Sequence, residues 1–259
     1  MKTLFRLAAL LLTWISVTPM LAADKPTLYL IGDSTVKNGT AGQQGWGERL
    51  GEFFDPEKIQ VVNRALGGRS SRTYLREGLW DAVLKGIKKG DFVMMQFGHN
   101  DGGPIDEGKA RASLKGNGEE TKDVTLKDTG AAETVHTYGW YLRRYITDAK
   151  ASGATVIVCS PIPRNMWKEG KVLRAGEDYG KWAKEAAAQT GALFLDLNEI
   201  IARHYDEIGE AKVMERFFKP ADHTHTVPDG ALFNARCVVE GLKALPGAPV
   251  DALKSELPQ

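Results

Sequence analysis

The sequence predicts an α/β protein built around a parallel sheet. Short apolar runs rich in β-branched residues recur along the chain, and helix-length amphipathic segments separate them, which is the alternation of βαβ units. Length sets the scale: 259 residues, 42% of them hydrophobic, supply one sizeable core, so residues 24–259 are expected to form one domain.

The elements follow in chain order. Residues 1–23 place Lys2 and Arg6 ahead of an apolar run that opens at Leu7, and they close on Ala22 and Ala23. That layout predicts a secretory signal peptide, because the apolar core is too short for an anchor and its far flank is uncharged. The mature protein is then secreted or periplasmic, with no stable membrane insertion. Removing residues 1–23 takes away two cations and no acid, so the formal net charge moves from +1 to −1. A nearly neutral chain offers no bulk attraction to nucleic acid or to an anionic membrane.

Strands are expected at residues 28–31, 59–62, 92–97, 155–159 and 193–197. The clearest helix is 132–151, where Val135, Tyr138, Leu142, Tyr145 and Ala149 recur at steps of three and four, ending at Ser152-Gly153. Residues 102–130 carry many Gly, Lys, Glu and Asp and almost no large apolar side chain, which reads as a surface loop outside the core, at the mouth of the sheet. No internal repeat is present, and the tail 246–259 reads as loosely structured.

The strand ends carry the chemistry. The first strand exits into Gly32-Asp33-Ser34, the second into "NRALGG" at 63–68, and the third into "GHND" at 98–101. All carboxyl ends of a parallel sheet share one edge, so these clusters converge although they are far apart in sequence. A serine at such an exit has an exposed hydroxyl and a backbone N–H aimed the same way. Gly68 brings a second N–H close to a ligand, and Asn100 adds a short amide donor. Three donors around Ser34 fit acyl transfer.

The serine needs a base. Of the five histidines, His136 and His204 fall in predicted helices, where packing or surface roles are the plain reading, which leaves His99, His223 and His225. In "DHTH" at 222–225, Asp222 precedes His225 by three residues, so on a turn the carboxylate can hold Nδ1–H and free Nε2 for the serine proton. A competing reading makes Asp222, His223, His225, His99 and Asp101 metal ligands, but it leaves Ser34 and Gly68 without a role. Asp33 is read as a brace for the loop through backbone N–H groups. The two cysteines, Cys159 and Cys237, sit in apolar surroundings and read as two inert thiols in preference to a bridge. No CxxC or Cys/His zinc spacing is present, and neither is the GxSxG elbow of the α/β-hydrolases.

At these residues the sequence resembles the SGNH (GDSL-like) hydrolases, whose four blocks would here contribute Ser34, Gly68, Asn100, and Asp222 with His225, in order across residues 27–245. The stretches "YLIGDSTVKNG", "GWGERL", "GGRSSRTYLREG", "FGHNDGG" and "DHTHT" are similar to the rhamnogalacturonan acetylesterases, family 12 of the carbohydrate esterases. The resemblance implies a three-layer, flavodoxin-like α/β/α sandwich with five parallel strands. It also implies Ser-His-Asp deacetylation of an acetylated polysaccharide or oligosaccharide, with no cofactor and no metal. The polar stretch 110–130 departs from that group and bears on the sugar-binding cleft.

Substrate contacts are expected from Arg69 and Arg72, directly after Gly68, for uronic carboxylates, and from Trp46 and Tyr74 for stacking on sugar rings. Trp80, Trp167, Arg76 and Arg164 are further candidates. The alternatives are an SGNH esterase acting on another acetylated glycan, a lipid or a thioester, and a non-catalytic glycan-binding module, which would keep the aromatics without needing Ser34.

Overall fold

A computed structural model describes residues 25–258. The predicted signal peptide lies outside the described residues.

Five strands form one parallel sheet: β1 (Thr27–Gly32), β2 (Gln60–Asn63), β3 (Phe92–Gln96), β6 (Thr155–Cys159) and β9 (Leu193–Leu195), in the spatial order β2-β1-β3-β6-β9. All four pairings are parallel, with Leu28 beside Phe92 and Met94 beside Ile157. The flavodoxin-like expectation is met. The β2 and β9 boundaries fall slightly away from those read in the sequence, since Leu197 already opens a helix.

The sheet is covered on both faces, which is why its central strands read as unbroken apolar runs. Leu28, Leu30, Met94, Ile157 and Leu195 point to one core, shared with α5 (Leu197–Ile208), α6 (Glu210–Phe217), α7 (Pro228–Lys243) and two short 3-10 turns around Trp46 and Phe53. Ile31, Val93, Met95, Val156 and Val158 point to the other, under α1 (Ser71–Arg76), α2 (Leu79–Leu84), α3 (Tyr138–Ala151) and α4 (Tyr179–Thr190). The strict alternation of neighbours between the two cores is the two-residue period of a strand. Cys159 and Cys237 are free and buried in the first core, and burial pushes both thiols well above the usual range, as inert thiols require.

Three expectations need correction. The helix read at 132–151 begins at Tyr138. Residues Ala132–His136 form β5, paired antiparallel with β4 (Thr121–Thr125), and Thr137 caps the helix by accepting from Trp140 N–H at 3.1 Å. The β-branched Thr134 and Val135 suit a strand, and the N-cap threonine outweighs the helical spacing that preceded it. His136 therefore lies on a strand, stacked on Trp140 with ring centroids 3.7 Å apart. The polar segment 102–130 is not wholly outside the core, because Ala110, Ala112, Ser113 and Leu126 are buried and it supplies β4. The tail is docked, with Leu253 bridged to Phe54 and Ala252 buried. A further hairpin, β7 (Trp167–Lys168) with β8 (Lys171–Val172), follows β6.

The chain leaves β1 toward β2 on one side, then crosses to β3 on the other. The ends of β1 and β3 thus flank the switch point of the sheet, where open α/β proteins form their crevice.

Candidate active site

Ser34 stands at that crevice because of what Gly32 permits. A Cβ on Gly32 would sit 2.4 Å from the Gln96 carbonyl oxygen and 2.6 Å from Val36 Cγ2, so only glycine lets the chain turn this tightly against β3. Asp33 is fully buried and braces the turn: Oδ1 accepts from Thr35 N–H at 2.8 Å and from the Thr35 hydroxyl at 2.7 Å. Gln96 donates to the same hydroxyl oxygen, and Trp46 Nε1–H donates to Gln96 Oε1 at 2.9 Å. Ser34 itself is half-buried above this platform.

His225 arrives from the other end of the chain. Ser34 Oγ lies 2.9 Å from His225 Nε2, and His225 Nδ1 lies 3.0 Å from Asp222 Oδ2. The segment is an Asx-type turn rather than a helical one, since Asp222 Oδ1 accepts from the N–H groups of Thr224 at 2.9 Å and His225 at 3.0 Å. Ala221 holds φ +65°, a left-handed conformation that a side chain resists, directly before Asp222. Gln43 Nε2 donates to Asp222 Oδ2 at 2.7 Å. Burial works against the Asp222 carboxylate, but the N–H groups of His225 and Thr224, the imidazole and the Gln43 amide outweigh it and hold the carboxyl far below the usual range.

The loop after β2 closes the third side. Arg64 N–H donates to Leu30 O and Leu66 N–H to Gly32 O, so the loop runs along β1. It delivers Gly67 against Ser34, where an added Cβ would lie 3.5 Å from Ser34 Cβ. Gly68 has φ +79°, and an added Cβ would make only an ordinary contact, 4.0 Å from Arg111 Nη1, so backbone conformation, not crowding, calls for glycine there. Asn100 is buried and donates one amide proton from Nδ2 to Arg69 O at 2.9 Å.

Burial disfavours the charged form of two neighbours. Burial pushes Asp101 up to about 7 against the bonds it accepts from Ser71 N–H and hydroxyl. His99 is pushed down to about 4 by burial, so it stays neutral near pH 7, and its Nε2 has no partner among the described residues. Among the described residues, no group of three His, Cys, Asp or Glu side chains is arranged to hold a metal ion.

The expected substrate contacts fare differently. Trp46, Tyr74 and Arg72 are completely buried and cannot meet a sugar. Trp46 belongs to the platform under Ser34, Tyr74 donates its hydroxyl to Arg64 O at 2.7 Å, and Arg72 lies under the 102–130 segment with Nε donating to Glu133 Oε1 at 2.7 Å. Trp80 is buried too. Arg69 is partly exposed, but its Nε pairs with Glu77 at 2.8 Å. Arg164 bridges Thr224 and His99 O. Sequence reasoning missed Gln43 and Arg111, whose Nη1 donates to Gly68 O at 3.3 Å. Both sit in polar stretches without periodicity, and nothing in their local sequence sets them apart.

A family model described as the GDSL-like Lipase/Acylhydrolase family matches residues 30–217. The chain belongs to that family. Like its members it is a carboxylic ester hydrolase. The chain is 34% identical over 220 residues to a rhamnogalacturonan acetylesterase of Emericella nidulans, spanning 85% of each chain. It is 36% identical to a probable rhamnogalacturonan acetylesterase, YesY, of Bacillus subtilis, spanning 86% of this chain and 94% of that one. Among solved structures, YxiM of Bacillus subtilis superposes with a TM-score of 0.68 at 28% identity, over 85% of this chain and 56% of that one. Axe2, an acetylxylan esterase of Geobacillus stearothermophilus, superposes at 0.54 with 19% identity over 83% of this chain and 93% of that one, a likeness of fold.

Proposed function

We propose that this esterase removes O-acetyl groups from an acetylated plant cell-wall polysaccharide, rhamnogalacturonan before others, through an acetyl-serine. The observation that carries the chemistry is the continuous Ser34–His225–Asp222 relay at 2.9 and 3.0 Å. His225 Nε2 takes the Ser34 proton as Oγ attacks the acetyl carbonyl, while Asp222, held ionised, fixes the Nδ1–H tautomer and stabilises the imidazolium. The N–H groups of Ser34 and Gly68 and the free Asn100 amide proton bind the oxyanion. His225 then protonates the departing sugar hydroxyl, and water repeats the cycle on the acetyl-enzyme. The relatives named rhamnogalacturonan acetylesterases support the choice of polymer. The same reading makes residues 1–23 a secretory signal peptide and residues 24–259 one exported domain, meeting its substrate outside the cytoplasm; no helix among the described residues is long and apolar enough to cross a membrane.

Purified protein assayed on acetylated rhamnogalacturonan, acetylated xylan and acyl esters of increasing chain length tests the proposal. The expected result is the highest kcat/KM on the first, with turnover lost in Ser34→Ala. Preference for long acyl chains, or activity retained without the serine hydroxyl, would overturn it.

A further inference from the structure

Four guanidinium groups stand near Gly68, and three are engaged with acids. Arg69 pairs with Glu77, while Arg72 and Arg76 share Glu133. Arg111 differs. Among the described residues it forms no ion pair, and of the five N–H donors of a guanidinium only one has a protein partner, the long bond to Gly68 O. The group is half-buried, and its Nη1 lies 4.0 Å from where a Gly68 Cβ would be. It therefore stands beside the residue whose N–H is the proposed oxyanion donor.

The backbone that carries Arg111 is held from below. The fully buried Arg72 donates to Ala112 O at 2.8 Å, Arg76 donates to Ala110 O at 3.1 Å, and Ser113 N–H donates to Asp101 O at 3.1 Å. Ala110 is held at φ +41°, a conformation an alanine adopts only when its surroundings impose it. A planar cation with unfilled donors, fixed on a braced loop at the edge of an esterase site, is arranged for bidentate contact with a carboxylate.

We infer that Arg111 recognises a uronate carboxylate that flanks the acetyl ester. The inference rests on the proposed polysaccharide substrate and assigns the acidic-sugar preference to the loop after β3 instead of to Arg69 and Arg72. A neutral acetylated glycan leaves the guanidinium without its partner.

Binding and turnover separate this inference from the reading beneath it. In a Ser34→Ala background, which keeps the ligand intact, calorimetry compares an acetylated rhamnogalacturonan oligosaccharide with its carboxyl-reduced counterpart, and the deacetylated pair is titrated alongside. The parent is expected to prefer the acidic form by about tenfold at low salt, with the preference shrinking as ionic strength rises. Arg111→Gln should bring the ratio of the two affinities to about one, and Arg111→Lys should keep part of it. No preference in the parent, or equal weakening of both forms in Arg111→Gln, would show Arg111 to be a brace for Gly68 and overturn the inference. Failure of the wild-type protein to deacetylate the oligosaccharide would instead defeat the proposed polymer, and the deacetylated pair would still decide the role of Arg111.

Discussion

Asn100 is held by a single bond to Arg69 O, with one amide proton left over, and under the proposed mechanism that proton meets charge that exists only in the transition state. Asn100→Ala should therefore lower kcat by roughly one hundred- to one thousand-fold with a much smaller change in KM, and steady-state kinetics on a small acetyl ester checks it. A different residue pair governs pH. Asp101, raised to about 7, keeps its proton in the folded state while the unfolded chain has released it above about 4, so its contribution to stability falls as pH rises from about 4 to 7. His99, lowered to about 4, is neutral when folded while the unfolded chain binds a proton below about 6.5, so its contribution rises across nearly the same window. The two slopes oppose each other. Asp101→Asn should unmask the second, making stability climb with pH between about 4 and 6.5 by up to ~1.4 kcal/mol per pH unit relative to wild type, read by urea denaturation at each pH. The approach of His225 and Asp222 to Ser34 was legible because each sits on a punctuated strand end or turn. Gln43 was not: its role depends on Asp222 folding back from 179 residues away.

At the scale of elements, the hairpin β4–β5 is where sequence and structure part. Val135 and Tyr138 continue a helical spacing, and only tertiary contact reveals that Glu133 is needed on a strand, where it faces two arginines. The Arg72 side chain is fully buried and Glu133 only 16% exposed. Glu133→Ala should cost ~3–5 kcal/mol, because it strands a buried guanidinium, and replacing Arg72 by methionine in the same chain should recover much of that loss. Chemical denaturation of the single and double variants measures both. The strands of the main sheet, by contrast, were readable nearly to the residue, since burial on both faces leaves an unbroken apolar run that few other elements produce.

For the whole molecule, alternation alone predicted an α/β protein with a parallel sheet and the family resemblance supplied its three layers, but alternation did not give strand order, because nothing local says that β3 must cross to the far side of β1. The two thiols report on the integrity of that whole. Cys159 and Cys237 should resist an aromatic disulfide reagent in the native protein and react together once denaturant unfolds it; fast labelling of either under native conditions would mean that the first core opens locally. The arrangement of the site around the switch point has a consequence in time as well. Ser34 and His225 are 191 residues apart, so at about 5–20 residues per second a ribosome extends the proposed nucleophile roughly 10–40 s before its proposed base exists. No nascent fragment that stops short of the α6–α7 connection holds a complete relay, and the first appearance of ester turnover during synthesis marks the moment when the two ends of the chain have met.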